Sequence, residues 1–144
     1  MVSLIPSSSM EGTIMKGDIV LATRYDTGEE NIKRYDILMF TLSNQPDTTY
    51  IKRVIGLPGE MIEVKNGKVY ADGVELDDSF IDKPMNRKGD GTYVVPEGCY
   101  FFLGDNRNHS KDSRFWEDKY IPISNIQAKA KIIIFPFKNI GKIK

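Results

Sequence analysis

The chain has 144 residues, 20 Lys+Arg against 20 Asp+Glu, 40% hydrophobic residues, one cysteine and one histidine. That length fits one domain, and the even charge balance excludes the broad basic face that nucleic-acid binding needs. Cys99 has no partner for an internal disulfide, a His-based triad or His-rich metal site would rest on His109 alone, and no run of ~18 apolar residues is present to span a bilayer. No metal and no cofactor are therefore expected, and the short start Met1-Val2-Ser3-Leu4-Ile5 lacks the basic region of a signal peptide.

In chain order, strand-like runs cover residues 18–24, 35–41 and 49–55. Short runs at 60–64 and 68–71 flank Asn66-Gly67, and Asp72-Gly73 turns the chain into 74–76. Both dipeptides supply the positive φ angles of a type I′ hairpin turn. Residues 81–91, with Pro84, Gly89, Gly91 and many charges, read as an exposed loop. Runs at 92–95 and 99–103 form another hairpin around Pro96-Glu97-Gly98, and 127–135 is a last strand. Helical periodicity is confined to short turns after Ser9 and near Ser124-Asn125-Ile126. The expected fold is all-β: twisted antiparallel sheets or a partly open barrel, residues 1–144 as one unit with a hairpin-bearing excursion at about 61–98.

Lys52 is the residue that breaks pattern. It stands in Tyr50-Ile51-Lys52-Arg53-Val54-Ile55, and strand alternation gives it Tyr50 and Val54 as neighbours on its own face. Such a lysine either snorkels its ammonium to water or is held dry enough to lose its proton. Arg53 faces the other way, and a buried guanidinium needs a carboxylate. Two further segments carry reactive groups: Ile5-Pro6-Ser7-Ser8-Ser9-Met10-Glu11-Gly12-Thr13, and Gly104-Asp105-Asn106-Arg107-Asn108-His109-Ser110-Lys111-Asp112-Ser113-Arg114. The second of these departs from the Asp-x-Asp-x-Asp-Gly spacing of a calcium loop. Each segment alone also reads as a solvated loop or a surface ion pair.

Together they resemble the type I signal peptidases, membrane-anchored serine/lysine endopeptidases that remove signal peptides from exported proteins. The resemblance runs from Ile5 to about Phe135. Its motifs are Ile5-Pro6-Ser7-x-Ser9-Met10-x-x-Thr13, Gly17-Asp18, Tyr50 to Glu60, and Gly104-Asp105-Asn106-x-x-x-Ser110-x-Asp112-Ser113-Arg114-x-Trp116. The resemblance implies Ser9 as nucleophile and Lys52 as general base, with an amine pKa lowered from ~10.4 toward ~7–8 by burial. It implies an oxyanion hole from the Ser9 N–H and the Ser7 hydroxyl, and Ser110 as the hydroxyl that orients the lysine. Arg53, Asp105, Asp112 and Arg114 would form a structural network. Ile5, Pro6, Met10, Ile14, Tyr50 and Ile51 are candidate walls for the small residues of an Ala-x-Ala-like site. The signal-peptide region would bind as an added β-strand, and the enzyme would work at the extracytoplasmic face of the bacterial cell membrane.

The chain departs from the family pattern at Gly12, where proline is common, at Asn108-His109 and at Glu117. Family members carry one or more membrane-spanning helices ahead of Ile-Pro-Ser, whereas Met1 precedes Ile5 closely here. The expectation is a catalytic domain without its anchor, with Ile5, Met10 and nearby strands exposing a lipid-facing patch. Two rivals remain: a self-cleaving repressor-type Ser/Lys peptidase, although the chain offers no Ala-Gly or Cys-Gly bond, and a non-catalytic binding barrel using Tyr93, Tyr100 and Phe101.

Overall fold

Strand alternation and glycine-bearing turns lay out the chain, described here by a computed structural model over residues 1–24 and 32–144. The strands are β1 (Val2–Leu4), β2 (Ile19–Arg24), β3 (Ile37–Leu42), β4 (Gln45–Gly56), β5 (Met61–Lys65) and β6 (Lys68–Ala71). They continue with β7 (Val74–Glu75), β8 (Gly91–Val94), β9 (Cys99–Leu103), β10 (Ile121–Pro122), β11 (Ile126–Phe135) and β12 (Gly141–Lys142). The strand pairings among the described residues are antiparallel, in a large sheet of order β1-β2-β11-β3-β4-β9-β10 with β12 beside β11, and a small sheet of order β7-β6-β5-β8. The fold is all-β, as expected, and the sheets do not close into a barrel.

Turn chemistry sets the small sheet. Asn66 and Gly67 adopt φ of 52° and 76°, and the register Lys65↔Lys68 places them as a two-residue hairpin loop. Short strands β1, β10 and β12 were not legible, because two- and three-residue strands exist only through their partners. β4 begins at Gln45, earlier than its apolar run implies, since its polar start pairs Leu42↔Gln45 at a bulge. A 3-10 turn spans Ile123–Asn125, and the stretch after Ser9 forms hydrogen-bonded turns, with Glu11 N donating to Ser8 O and Ile14 N to Met10 O. No helix among the described residues is long and apolar enough to cross a membrane.

The two faces of β4 feed different clusters. Ile55, Phe101 and Leu103 of the large sheet pack with Ile62, Val64 and Tyr93 of the small one, so a shared core joins the sheets. Leu38, Phe40, Val54 and Phe102 form a second cluster, with the Phe40 and Phe102 rings stacked at 4.2 Å. Ile5, Met10, Ile14, Ile37 and Ile51 form a third, which anchors the Ser7–Ser9 stretch to the sheet. Burying each such side chain contributes about 1.5–3 kcal/mol.

An exposed apolar face lies elsewhere than the sequence implied. Ile5 and Met10 are buried, because both turn into the third cluster. The exposed residues are instead Val2, Leu4, Leu21 and Phe135, with Phe137 and Ile140 just beyond. Register aligns Val2 with Leu21 and Phe135 with Ile19 across β1, β2 and β11, so one sheet face carries most of them.

Candidate active site

Ser9 and Lys52 meet. The Lys52 Nζ lies 2.7 Å from the Ser9 Oγ, within hydrogen-bond distance, and the two residues are only 4% and 5% exposed. Lys52 reaches this position from the middle of β4, paired with Leu38 of β3. Its stem passes the Tyr50 ring, with Nζ 5.9 Å from the ring centroid. Burial pushes the amine down to about 8, against the charge of Asp112, which pulls the other way. Of the two readings of this lysine, the dry one holds, and desolvation is its cause. The charge of Arg53 is not among the causes, because Asp105 neutralises it on the opposite face.

The serine stretch is a turn rather than an extended strand, yet Ser7 Oγ and Ser9 Oγ still come within 3.4 Å. Ser7 and Pro6 are exposed, Ser8 is half-buried, and Ser9 is buried. The Gly104–Arg114 loop clamps this turn from behind. Asn106 N donates to Ser9 O at 2.9 Å, Asn106 Nδ2 donates to Ser8 O at 2.9 Å, and Asp105 N points at the Met10 Sδ at 3.4 Å. Gly104 makes the approach possible. A Cβ there would lie 2.6 Å from Ser9 O and would collide with the Ser110 side chain. Any larger residue would push the Ser9 turn off the loop.

Ser110 is buried and donates its hydroxyl proton to Asp112 Oδ2 at 2.8 Å. The same carboxylate accepts Gly104 N at 3.0 Å and is held by Arg114 through Nε to Oδ1 and Nη2 to Oδ2, both at 2.9 Å. The Ser110 proton is thus committed, and its lone pairs stay available to an amine.

The four-residue network expected around Arg53 divides into two pairs. Arg53 binds Asp105 through Nε to Oδ1 at 2.9 Å and Nη2 to Oδ2 at 2.7 Å, while Asp112 belongs to Arg114. The division follows from β4 alternation: Arg53 faces away from Lys52 and Ser110, so only Asp105 is within its reach. Arg53 also donates to Tyr35 O, its guanidinium lies 4.2 Å from the Phe80 ring centroid, and Thr13 Oγ1 donates to Asp105 Oδ2 at 2.5 Å.

The candidate pocket residues divide as well. Ile5, Met10, Ile14 and Ile51 are buried in one cluster, Tyr50 is half-buried and Pro6 exposed. Gly12 adopts φ of +100°, which a proline ring cannot, and its missing Cβ is covered by the Asp82 carboxylate. The departure from the family pattern is therefore matched by a different local backbone.

His109 is exposed and Tyr93, Tyr100 and Phe101 are buried, so these aromatics present no binding surface. Among the described residues no group of three or more His, Cys, Asp or Glu side chains is placed to hold a metal ion. The sequence reading missed the clamping role of Asn106, the tightness at Gly104 and the burial of Arg107. Only the first two had a signal, as motif positions with no assigned part.

A lysine amine with lowered pKa beside a serine hydroxyl in a dry site is a base next to a nucleophile, the combination acyl transfer needs. The sequence model of the family described as "Signal peptidase, peptidase S26" matches residues 1–135. Signal peptidase I of Leptolyngbya laminosa is 35% identical over 146 residues, covering 96% of this chain and 70% of the relative. Signal peptidase I of Bacillus caldolyticus is 35% identical over 151 residues, covering 94% of this chain and 79% of the relative. The crystal structure of a signal peptidase I from Enterococcus faecalis V583 matches with a TM-score of 0.58 and 30% identity, over 73% of this chain and 97% of that one. The chain belongs to the S26 signal peptidase family and is a hydrolase of the serine-peptidase class.

Proposed function

We propose that this chain, acting as one catalytic unit, cleaves signal peptides from exported preproteins after small residues, with Ser9 as nucleophile and Lys52 as general base. The observation that carries this reading is the 2.7 Å contact between a buried amine and a buried hydroxyl. In the proposed cycle neutral Lys52 takes the Ser9 proton as Oγ attacks the scissile carbonyl carbon. The resulting oxyanion accepts from the Ser9 N–H and from the Ser7 hydroxyl, whose position 3.4 Å from Ser9 Oγ supports that part. One such donor contributes ~2.7–4 kcal/mol in the transition state. Collapse breaks the C–N bond, and the protonated Lys52 passes its proton to the departing amine. The acyl group now rests on Ser9 as an ester. Lys52 then deprotonates a water that attacks the ester, which releases the new carboxyl terminus and restores the hydroxyl.

Ser110 accepts a hydrogen bond from the amine and aims it. Its proton is already given to Asp112, which supports that direction. The substrate adds as an extended strand, with Pro6 and Tyr50 as wall candidates and Ile5, Met10, Ile14 and Ile51 setting pocket depth from beneath.

Ser9→Ala is expected to lower cleavage of an Ala-x-Ala peptide by at least about 10⁴-fold, while its urea stability falls by no more than the ~1 kcal/mol of the lost Lys52 hydrogen bond. Unchanged cleavage by that variant would reject the assignment.

The reading includes a membrane. The face of Val2, Leu4, Leu21, Phe135, Phe137 and Ile140 would rest on lipid at the extracytoplasmic side, where the uncleaved signal peptide lies. Phosphatidylcholine vesicles should sediment the native chain, and a Leu4→Ser/Phe137→Ser chain should stay in the supernatant. Equal sedimentation of the two would count against this surface.

A further inference from the structure

A cavity of about 540 Å³ opens beside Ser110, and its wall carries positive charge only. Lys88, Arg107, His109 and Lys111 line it together with Ser110 and Phe115, and no acidic residue contributes. Lys88 and Lys111 are exposed, so their charges face whatever enters, and His109 is exposed beside them.

Arg107 is different. It is 5% exposed, its Nε is buried with no hydrogen-bond partner, and its Nη1 reaches only the Met85 Sδ at 3.7 Å. Three other arginines in the same region have carboxylates: Arg34 has Glu60, Arg53 has Asp105, and Arg114 has Asp112. Among the described residues Arg107 forms no such pair. Burial, and next the charge of Arg114, lower its pKa to about 10, so it stays cationic at neutral pH. A desolvated guanidinium without an anion is costly, and the cost is recovered when an anion arrives.

The walls are fixed to one another. Asn108 Nδ2 donates to Pro84 O at 2.9 Å, and Asn86 N donates to Asn108 Oδ1 at 2.7 Å, which ties the loop bearing Lys88 to the turn bearing Arg107. Ser110, at the inner end, packs against Gly104 and thereby against the Ser9 backbone. Ser110 thus joins the wall of this cavity to the turn that carries Ser9.

We propose that this cavity is a specificity subsite for a carboxylate side chain of the peptide substrate, close to the scissile bond, held by Arg107, Lys88 and Lys111. The proposal rests on the peptidase reading above. A peptide carboxylate is favoured over a lipid headgroup because the cavity shares Ser110 with the reacting site, and none of its lining residues belongs to the exposed apolar face of β1, β2 and β11.

The test uses quenched Ala-x-Ala peptides carrying a single Glu or Gln, moved through the positions on both sides of the cleaved bond. At one or two positions the native chain should prefer Glu over Gln by about fivefold in kcat/KM at low salt, shrinking toward parity at 0.5 M NaCl. In K88A/K111A the Glu/Gln ratio should fall to within twofold of one. Both replaced residues are exposed, so folding is not at stake. A Glu/Gln ratio near one at every position in the native chain overturns the proposal, as does a preference that neither K88A/K111A nor R107M lowers; R107M removes the buried cation, and its urea midpoint shows whether it folds. Fluorescence anisotropy of the same peptides on Ser9→Ala separates the two readings. If the native chain cleaves nothing but Ser9→Ala binds the Glu peptide more tightly, and K88A/K111A removes that preference, the peptidase reading fails and the subsite stands. If peptides show no preference and K88A/K111A instead loses binding to phosphatidylglycerol vesicles, the cations read lipid and the proposal falls.

Discussion

Lys52→Met is expected to abolish turnover at every pH and to leave a more stable protein. The first effect follows from the amine's proposed part. Methionine fills a similar volume but has no lone pair to take the Ser9 proton, so the rate should fall by about 10⁴-fold or more. On the proposed reading the neutral amine is the active form, and its pKa is pushed down to about 8. The value of kcat/KM should then rise about tenfold per pH unit below 8 and level off above it.

The second effect is a linkage consequence. The folded amine titrates near 8, and the unfolded one near its ordinary value of 10.5. Between these values the unfolded chain binds more protons, so stability rises with pH from about 8 to about 10.5. Below about 8 the folded state carries the full burden of a buried ammonium, about 3 kcal/mol. Methionine removes that burden and loses one hydrogen bond of about 1 kcal/mol, so a net gain of about 2 kcal/mol is expected at pH 7. Urea unfolding of both chains at pH 7 and pH 10 reads this directly. A variant that keeps measurable turnover with a shifted optimum would mean another group is the base.

The second large effect is on stability alone. Asp105→Ala should cost about 3–5 kcal/mol, because it strands the Arg53 guanidinium in a site where both side chains are nearly inaccessible, at 2% and 1%. It also removes the acceptor of the Thr13 hydroxyl. Against a typical total of about 5–15 kcal/mol, that is about a fifth or more of the stability of a domain this size. The thermal midpoint should drop by roughly 6–20 °C. The double replacement Arg53→Met/Asp105→Leu should recover most of the loss, since replacing both charges leaves neither unpaired. If the double variant is no better than Asp105→Ala, the two groups are not one energetic unit.

The strands from β2 to β6, β8, β9 and β11 were readable because each carries enough alternating or continuous apolar residues to declare a face, and β7 because Asp72-Gly73 declares its turn. The hairpin expected of 92–95 and 99–103 does not form, since β8 pairs with β5 in the small sheet and β9 with β4 in the large one. β1, β10 and β12 were not, since a run such as Ile121-Pro122 has no period of its own and becomes a strand only beside Tyr100 and Cys99. In the site, the chemistry of Lys52 was visible from its two apolar neighbours. The division of the carboxylates was not, because it depends on which face of β4 each loop residue meets, a matter of register between distant segments. Arg107 gave no signal at all. In sequence it stands among polar residues, and only the packing of the 84–90 loop over it removes it from water.

Lys52 and Arg53 are consecutive residues on a central strand, both positively charged in water and both buried in the fold. The protein meets the same difficulty twice and answers it in opposite ways. On one side it brings up a counter-ion and keeps the cation; on the other it bonds none and loosens the hold on the proton. The two positions are therefore not interchangeable despite their common sign. Arginine at 52 would stay ionised and could not act as an acceptor, and lysine at 53 would abandon the forked grip that fastens the Asp105 loop to the strand. Adjacent letters in the chain thus define a permanent charge that builds the frame and a removable one that works within it.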